Sequence, residues 1–309
     1  MANIGIIGAG AMGCLYGAML SSAPGNAVTF IDHSKERAEY LQKNGITMHE
    51  NGIAKRFKVK AVVPAEAHEH TFDWIFILVK AHQTVQALQE TAGLLKPGTI
   101  IVSLQNGLGN EKNIASFASP ADIILGVSSH NSTKIATGEI LHPSPAATTV
   151  IGPAIGNDTA KAARTAALFA ASGTEVVISS DIYSAIWRKL LVNMAINPLT
   201  MLSGKKNGFI ISDSESWNTV QRLLHEGIVV AGSRGVELDY EEMLQYIYNV
   251  CMLTRDGTSS MLQDRLNFRK TEIDYINGAV SAIAEAGEIP APANKTITEQ
   301  IHLLEKSYL

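Results

Sequence analysis

A short apolar run followed at once by a glycine triplet is the feature that most constrains the fold of this chain. Ile4–Ile7 has the length and composition of a buried strand, and the glycine-rich segment after it opens a helical pattern. In this setting Gly8 makes a tight turn, Gly10 lets the backbone approach a pyrophosphate, and Gly13 lets the helix pack on the strand. The first helical turn offers N–H groups and partial positive charge to phosphates. The predicted dinucleotide-binding loop is Gly8-Ala9-Gly10-Ala11-Met12-Gly13.

An acidic residue ends the next apolar run. Asp32 follows Ala27–Ile31 and lies 19 residues after Gly13. A carboxylate there hydrogen-bonds the ribose hydroxyls of adenosine and repels a 2′-phosphate, which favours NADH over NADPH. Lys35 and Arg37 follow closely enough to contact a phosphate, so NADPH stays open as the second candidate.

Apolar runs alternate with helical segments through the first part of the chain. Further runs of strand length are Trp74–Val79, Thr99–Leu104 and Ile123–Val127, and Lys55–Val63 is typical of an extra strand or hairpin arm. Near-continuous apolar strands separated by helices indicate a parallel sheet covered on both faces.

Long helical patterns dominate after Asp181, at about 182–203, 213–234, 239–253 and 268–287. A length of 309 residues fits two domains. We therefore predict a dinucleotide-binding Rossmann domain over residues 1–180 and a helical substrate and catalytic domain over residues 181–309. The predicted fold class is an α/β N-terminal domain with a mostly parallel sheet, followed by an all-α C-terminal domain.

Charge and composition indicate which classes of partner and compartment to expect. The formal net charge is -4 with no long basic run, which argues against nucleic acid. Cys14 and Cys251 lie far apart and fit no metal-ligand spacing, so we expect no metal and a reducing compartment. No stretch approaches the roughly 20 apolar residues of a membrane span. We expect a cytoplasmic protein that does not bind a membrane.

A polar stripe marks the first long helical pattern. Lys189, Asn193 and Asn197 are spaced i, i+4, i+8 and lie on one face, among apolar neighbours. Burying them unused would cost free energy, so they are predicted to face a polar cavity. A solvated helix face is the alternative.

Other polar residues stand where ligands bind or where helices begin. Lys80 and Asn106 follow predicted strands, at the sheet edge where open α/β folds hold ligands, although turn chemistry also explains them. Ser259 and Ser260 are suited to capping a helix or binding an anion. Glu272 by itself has the character of a surface residue on an amphipathic helix.

Together these segments resemble the ketopantoate reductase (2-dehydropantoate 2-reductase) family over nearly the whole chain. The resemblance is carried by Gly8–Gly13, Val79–Ala81, Asn106–Gly109, Trp187–Leu190, Asn193, Ile196–Thr200, Ser259–Asp264 and Thr271–Gly278.

The resemblance implies reduction of a small 2-oxo acid by hydride transfer from NADH or NADPH. It makes Lys189 the general acid that protonates the forming alkoxide, and Glu272 the residue that orients the substrate hydroxyl and the lysine. It also implies that the substrate is bound by Asn193, Asn197, Asn207 and Ser260, with Ser260 holding the carboxylate. Lys80 and Asn106 are implied to lie near the nicotinamide and its ribose, and Asn106 also to contact the substrate.

Two positions depart from the family pattern. Many members carry a basic residue in place of Asp32 and an asparagine in place of Gly257. Relatives with such changes are dehydrogenases of D-2-hydroxy acids with bulky branched or aromatic side chains, so an NADH-dependent enzyme of that type is the alternative. Ser259–Asp264 and Ile196–Thr200 favour formation of (R)-pantoate from 2-dehydropantoate, in pantothenate biosynthesis.

A nicotinamide-binding sensor without turnover is the alternative of another class. Lys189 and Glu272 argue against it, because a sensor needs no general acid. Helical second domains of this kind often pair, which makes a homodimer one expectation for the assembly.

Overall fold

The structure is a computed structural model that describes residues 2–143, 146–170 and 172–309. The chain divides into two compact units. The first comprises Met1–Gln105 and Asn110–Ile182, and the second comprises Asn106–Gly109 and Tyr183–Leu309. Assignment of the cofactor to residues 1–180 and of the substrate to residues 181–309 stays a prediction.

The first unit contains strands and intervening helices. Its strands are β1 (Ala2–Ile7), β2 (Asn26–Ile31), β3 (Ile46–Glu50), β4 (Ile53–Phe57), β5 (Lys60–Val62), β6 (Trp74–Ile77), β7 (Ile100–Ser103), β8 (Ile123–Ser128), β9 (Thr133–Ala136), β10 (Glu139–Leu141), β11 (Thr149–Pro153) and β12 (Val176–Ile178). Its helices are α1 (Ala11–Ser22), α2 (Lys35–Asn44), α3 (Thr84–Thr91), α4 (Asn110–Ala115) and α5 (Ala160–Ala170).

The main sheet has the order β12-β11-β8-β7-β6-β1-β2-β5. Its pairs are parallel apart from β8 with β11, where Ser128 lies opposite Thr149. Strands β6 and β7 are buried along their full length, as expected for a sheet covered on both faces. Because β1 lies between β2 and β6, the loop after β1 stands at the point where the strand order reverses, the usual ligand position in open α/β sheets.

The segment Lys55–Val63 is divided between two sheets, which the sequence did not predict. β4 pairs with β3 in a small sheet of order β4-β3-β10-β9, whereas β5 adds to β2 at the edge of the main sheet. The alternation of apolar and polar residues in this segment is compatible with an edge strand at any position, so it does not show where one strand ends and the next begins. Its partners, Ile46–Glu50 and Thr29–Ile31, decide which sheet each half joins.

The described part of the second unit is helical. Its helices are α6 (Ile182–Ser203), α7 (Phe209–Ser212), α8 (Ser214–Gly232), α9 (Tyr240–Leu253), α10 (Ser260–Leu266), α11 (Asn277–Ala286) and α12 (Pro292–Glu305). Asp213, Asp239 and Ser259 cap α8, α9 and α10 through their side chains. The predicted fold class is thereby confirmed. Within the described ranges, no helix is both long and apolar enough to cross a membrane.

The predicted helix over 268–287 is wrong in its first half. Phe268 has φ 54°, which a continuing helix does not allow. The N–H of Thr271 donates to the Glu305 carboxylate at 2.7 Å instead of to a preceding turn. A short 3₁₀ turn, Ile273–Tyr275, then leads into α11. Glu272 therefore lies in a fixed loop, and not on the amphipathic helix that its sequence surroundings suggest.

Candidate active site

Of the three glycines in the glycine-rich loop, only Gly10 has room for a side chain. Gly8 has φ +102°, and a Cβ on it would lie 2.9 Å from the backbone nitrogen of Val79. A Cβ on Gly13 would overlap the carbonyl oxygen of Gly8. No atom lies within 4 Å of a Cβ placed on Gly10, the N-cap of α1, and no side chain caps this helix. The open space beside uncapped N–H groups fits a pyrophosphate.

Asp32 is buried and its carboxylate is already occupied by protein donors. Arg37 binds both oxygens, with Nε 2.8 Å from Oδ2 and Nη2 2.6 Å from Oδ1. The backbone N–H groups of Ala9 and Ser34 donate to the same carboxylate at 3.2 and 2.9 Å. Burial opposes its ionisation, yet the hydrogen bonds from Arg37 and the backbone hold the pKa of Asp32 below its ordinary value. The sequence did not predict this pairing. It predicted opposite effects for the two residues, with Asp32 favouring NADH and Arg37 able to contact the phosphate of NADPH.

A pocket lies beside Gly8 and Asp32. Four of its other lining residues, Pro64, Ala87, Glu90 and Thr91, come from segments that carry no nucleotide-binding motif. The sequence did not predict these residues, because Pro64 and α3 come to the loop only through tertiary packing.

Lys80 follows β6 in extended backbone, just before a 3₁₀ turn. Gln105 fixes this loop, since its Nε2 donates to the carbonyl of Val79 at 2.9 Å and to the hydroxyl of Thr84 at 2.7 Å. Its Oε1 accepts from the hydroxyl of Ser103 at 2.9 Å. Gln105 was not among the predicted site residues, although its position directly before Asn106 at a strand end was a usable clue.

Asn106 belongs to the second unit, where it meets Glu272. Its Nδ2 donates to Glu272 Oε2 at 3.3 Å. The loop is held there because the N–H of Leu108 donates to the carbonyl of Tyr275 at 2.9 Å. Gly107, with φ +86°, lies against that same carbonyl with no room for a Cβ. The structure thus brings together two predicted site residues that are 166 positions apart in the chain.

Lys189 is half-buried on α6. Burial lowers the pKa of Lys189 to about 8, and the Glu272 carboxylate opposes that shift. Glu272 is itself 5% exposed. A lysine with a pKa near neutrality, a buried carboxylate and the Asn106 amide form one cluster, which we call the lysine cluster. Such a cluster is suited to giving a proton to a reacting oxygen.

The rest of the polar stripe lies one and two turns further along α6. Asn193 is half-buried and Asn197 is buried, and Asn197 Nδ2 lies 3.5 Å from the hydroxyl of Ser260. The neighbouring Ser259 has a structural contact, since its hydroxyl accepts from the N–H of Leu262 at 3.1 Å. The two serines are therefore distinct, and Ser260 is the exposed one that faces Asn197.

Asn207 lies beside Gly257. Its backbone N–H donates to the carbonyl of Gly257 at 3.1 Å, and its Nδ2 donates to the hydroxyl of Thr254 at 2.9 Å. Its Oδ1 is buried without a hydrogen-bond partner among the described residues. A Cβ on Gly257 would lie 2.9 Å from the carbonyl of Thr254, so an asparagine there requires this turn to shift. The described His, Cys, Asp and Glu side chains form no group that could hold a metal ion.

Two family models match most of the chain. Residues 4–156 match the family model described as Ketopantoate reductase PanE/ApbA, and residues 181–305 match the model described as Ketopantoate reductase PanE/ApbA C terminal. The 2-dehydropantoate 2-reductase of Pyrococcus abyssi is 32% identical over 94% of each chain.

Solved structures are similar along the whole chain. A complex of D-mandelate dehydrogenase with NADH and anilino(oxo)acetate superimposes with a TM-score of 0.93 at 29% identity, covering 99% of each chain. A PanE/ApbA family ketopantoate reductase from Ralstonia eutropha JMP134 gives a TM-score of 0.90 at 26% identity, again over 99% of each chain. With the glycine-rich loop of the first unit and the lysine cluster of the second both in place, the chain belongs to the ketopantoate reductase family of oxidoreductases.

Proposed function

We propose that this protein reduces 2-dehydropantoate to (R)-pantoate with a nicotinamide cofactor. The observation that carries the proposal is the lysine cluster, in which a half-buried Lys189 is electrostatically coupled to the buried Glu272. Relatives named 2-dehydropantoate 2-reductase, at 27 to 32% identity over nearly full length, support this choice of substrate.

In the proposed mechanism Lys189 stabilises the negative charge that develops on the carbonyl oxygen and then protonates it. The Glu272 carboxylate keeps the ammonium protonated against the effect of burial. Asn106 donates to Glu272 and so fixes the direction of that carboxylate. A nicotinamide cofactor, when bound, would supply the hydride for the carbonyl carbon.

The polar stripe is proposed to hold the substrate. Asn193 and Asn197 bind its polar groups, and the exposed hydroxyl of Ser260 binds its carboxylate. The buried Oδ1 of Asn207 supplies a further acceptor for a substrate hydroxyl. Orientation by several weak polar contacts suits a small, highly oxygenated acid.

The nucleotide loop is proposed to hold the cofactor, with Lys80 and Asn106 near the nicotinamide and its ribose. The open space at Gly10 fits the pyrophosphate. Asp32 favours NADH, because its carboxylate repels a 2′-phosphate. Arg37 weakens the preference for NADH, because its guanidinium neutralises the carboxylate charge that would repel a 2′-phosphate.

Replacing Arg37 by glutamine is therefore expected to sharpen the preference for NADH by about tenfold, the size of one charge-assisted hydrogen bond. Asp32→Asn is expected to shift the preference towards NADPH. The measurement is the ratio of the dissociation constants of NADH and NADPH, by fluorescence titration, with Lys35→Gln as the control for a nearby exposed charge. An unchanged ratio in Arg37→Gln would show that this side chain takes no part in discrimination.

A second enzyme function has its own support. The similarity to D-mandelate dehydrogenase is at least as high as to the ketopantoate reductase structure. The family resemblance also implies that Gly257 stands where many members have a substrate-binding asparagine. This alternative is an NADH-dependent D-2-hydroxyacid dehydrogenase acting on bulky branched or aromatic 2-oxo acids.

One assay separates the candidates. We expect kcat/KM for 2-dehydropantoate to exceed that for 2-ketoisocaproate and phenylglyoxylate with both NADH and NADPH. A higher value for either bulky acid would transfer the assignment to the dehydrogenase. Binding of NADH without oxidation by any 2-oxo acid would instead favour a cofactor sensor.

A further inference from the structure

A proline interrupts the hydrogen bonding of the helix that carries Lys189. α6 runs from Ile182 to Ser203 through Pro198. Proline has no N–H, so the carbonyl four residues earlier, that of Met194, loses its donor within the helix. Met194 is fully buried, and a buried carbonyl without a donor costs free energy. A donor for Met194 has to come from outside α6.

Asn277 is that donor. Its Nδ2 donates to the carbonyl of Met194 at 3.2 Å and to Oδ1 of Asn294 at 3.0 Å. Asn277 is completely buried, and the Glu226 carboxylate accepts from Nδ2 of Asn294 at 2.9 Å and so holds that partner in place. Both neighbours of the Asn277 amide nitrogen are acceptors, so a reversed amide would set oxygen against oxygen.

The hydrogen bond joins the segment that supplies Lys189 to the segment that supplies Glu272. Met194 is the residue after Asn193 on α6, and Asn277 begins α11 directly after the loop and 3₁₀ turn that contain Glu272. We infer that Asn277 is a positioning residue that sets the spacing between Lys189 and Glu272. The inference deepens the proposed function and rests on it for the role of the lysine.

Loss of this hydrogen bond has a defined electrostatic consequence. Burial lowers the pKa of Lys189, and the nearby Glu272 carboxylate raises it. If Glu272 is held less firmly, it stabilises the ammonium less, and the pKa of Lys189 falls further. A residue that only stabilised the fold would change the unfolding temperature without changing this titration.

The test uses Asn277→Leu, which is close in shape and donates no hydrogen bond. The lysine Cε signals are followed by ¹³C NMR against pH, with Lys189 assigned through Lys189→Met. We expect the Lys189 titration to move to lower pH and kcat to fall about tenfold, with less change in KM. The control is Thr298→Val, whose buried hydroxyl donates to the Asn294 carbonyl at 2.7 Å in the same region. It should leave the titration where it is.

Pro198→Ala provides an independent arm, because alanine restores the N–H that the carbonyl of Met194 lacks. We expect Asn277→Leu to lower the unfolding temperature less when Pro198→Ala is also present than when it is made in the natural chain. If Asn277→Leu alone does not fold, the inference requires that Pro198→Ala restore folding.

The outcomes are distinguishable. A protein that does not reduce 2-dehydropantoate would overturn the proposed function, while the NMR titration and the double-mutant comparison still decide the inference. An unmoved Lys189 titration in Asn277→Leu, or additive effects of the two substitutions, would overturn the inference whatever the substrate.

Discussion

Lys189→Met is expected to lower kcat for 2-oxo acid reduction by about a thousandfold, the usual contribution of a positioned general acid. Methionine keeps the length and the apolar stem of the side chain but has no ammonium to stabilise or protonate the alkoxide. Cofactor binding should be unchanged, because Lys189 is proposed to contact the carbonyl oxygen of the substrate and not the cofactor. Steady-state kinetics and fluorescence titration with NADH measure the two effects.

The pH dependence of the natural enzyme follows from the same residue. Burial lowers the pKa of Lys189 to about 8, so the ammonium loses its proton as the pH rises through that value. kcat is expected to fall on the alkaline side of about 8, and this limb should be missing in Lys189→Met. Lys295→Met, at an exposed position on α12, is the matched control and should keep both the rate and the profile. Full activity in Lys189→Met would refute the assigned chemistry.

Alanine at Gly10 and alanine at Gly13 are expected to fail for opposite reasons. At Gly10 the added methyl meets no protein atom within 4 Å, so the fold should be unaffected. It occupies the space proposed for the pyrophosphate, and cofactor affinity should fall about ten- to a hundredfold, the cost of overpacking one methyl group. Thermal unfolding and NADH titration distinguish the two properties.

At Gly13 the methyl would overlap the carbonyl oxygen of Gly8, and neither backbone segment can move independently of β1 and α1. Gly13→Ala is expected to destabilise the first unit by about 1–3 kcal/mol or more and to lower its unfolding temperature. Gly232→Ala, where nothing lies within 4 Å, is the control for both variants. Unchanged NADH affinity in Gly10→Ala would mean that the pyrophosphate does not lie over this glycine.

Much of the candidate site could be predicted because its patterns are local. The glycine triplet has backbone requirements that only a turn between strand and helix meets. The stripe of Lys189, Asn193 and Asn197 follows from helical spacing alone, and α6 begins and ends at the predicted residues. The role of Glu272 rests on the family resemblance alone, because its local pattern predicts a helix over residues that form a loop and a 3₁₀ turn in the structure.

The sequence by itself determined the fold class, the glycine-rich loop and the polar face of α6, because each depends on residues within a few turns or one strand of each other. Only the tertiary structure decided that Asn106 meets Glu272 and that Asn277 replaces the donor missing at Pro198. Hydrogen-bond partners of buried groups are chosen by which segments pack together. The Met194 carbonyl takes its donor from a residue 83 positions away, and no local pattern encodes that choice.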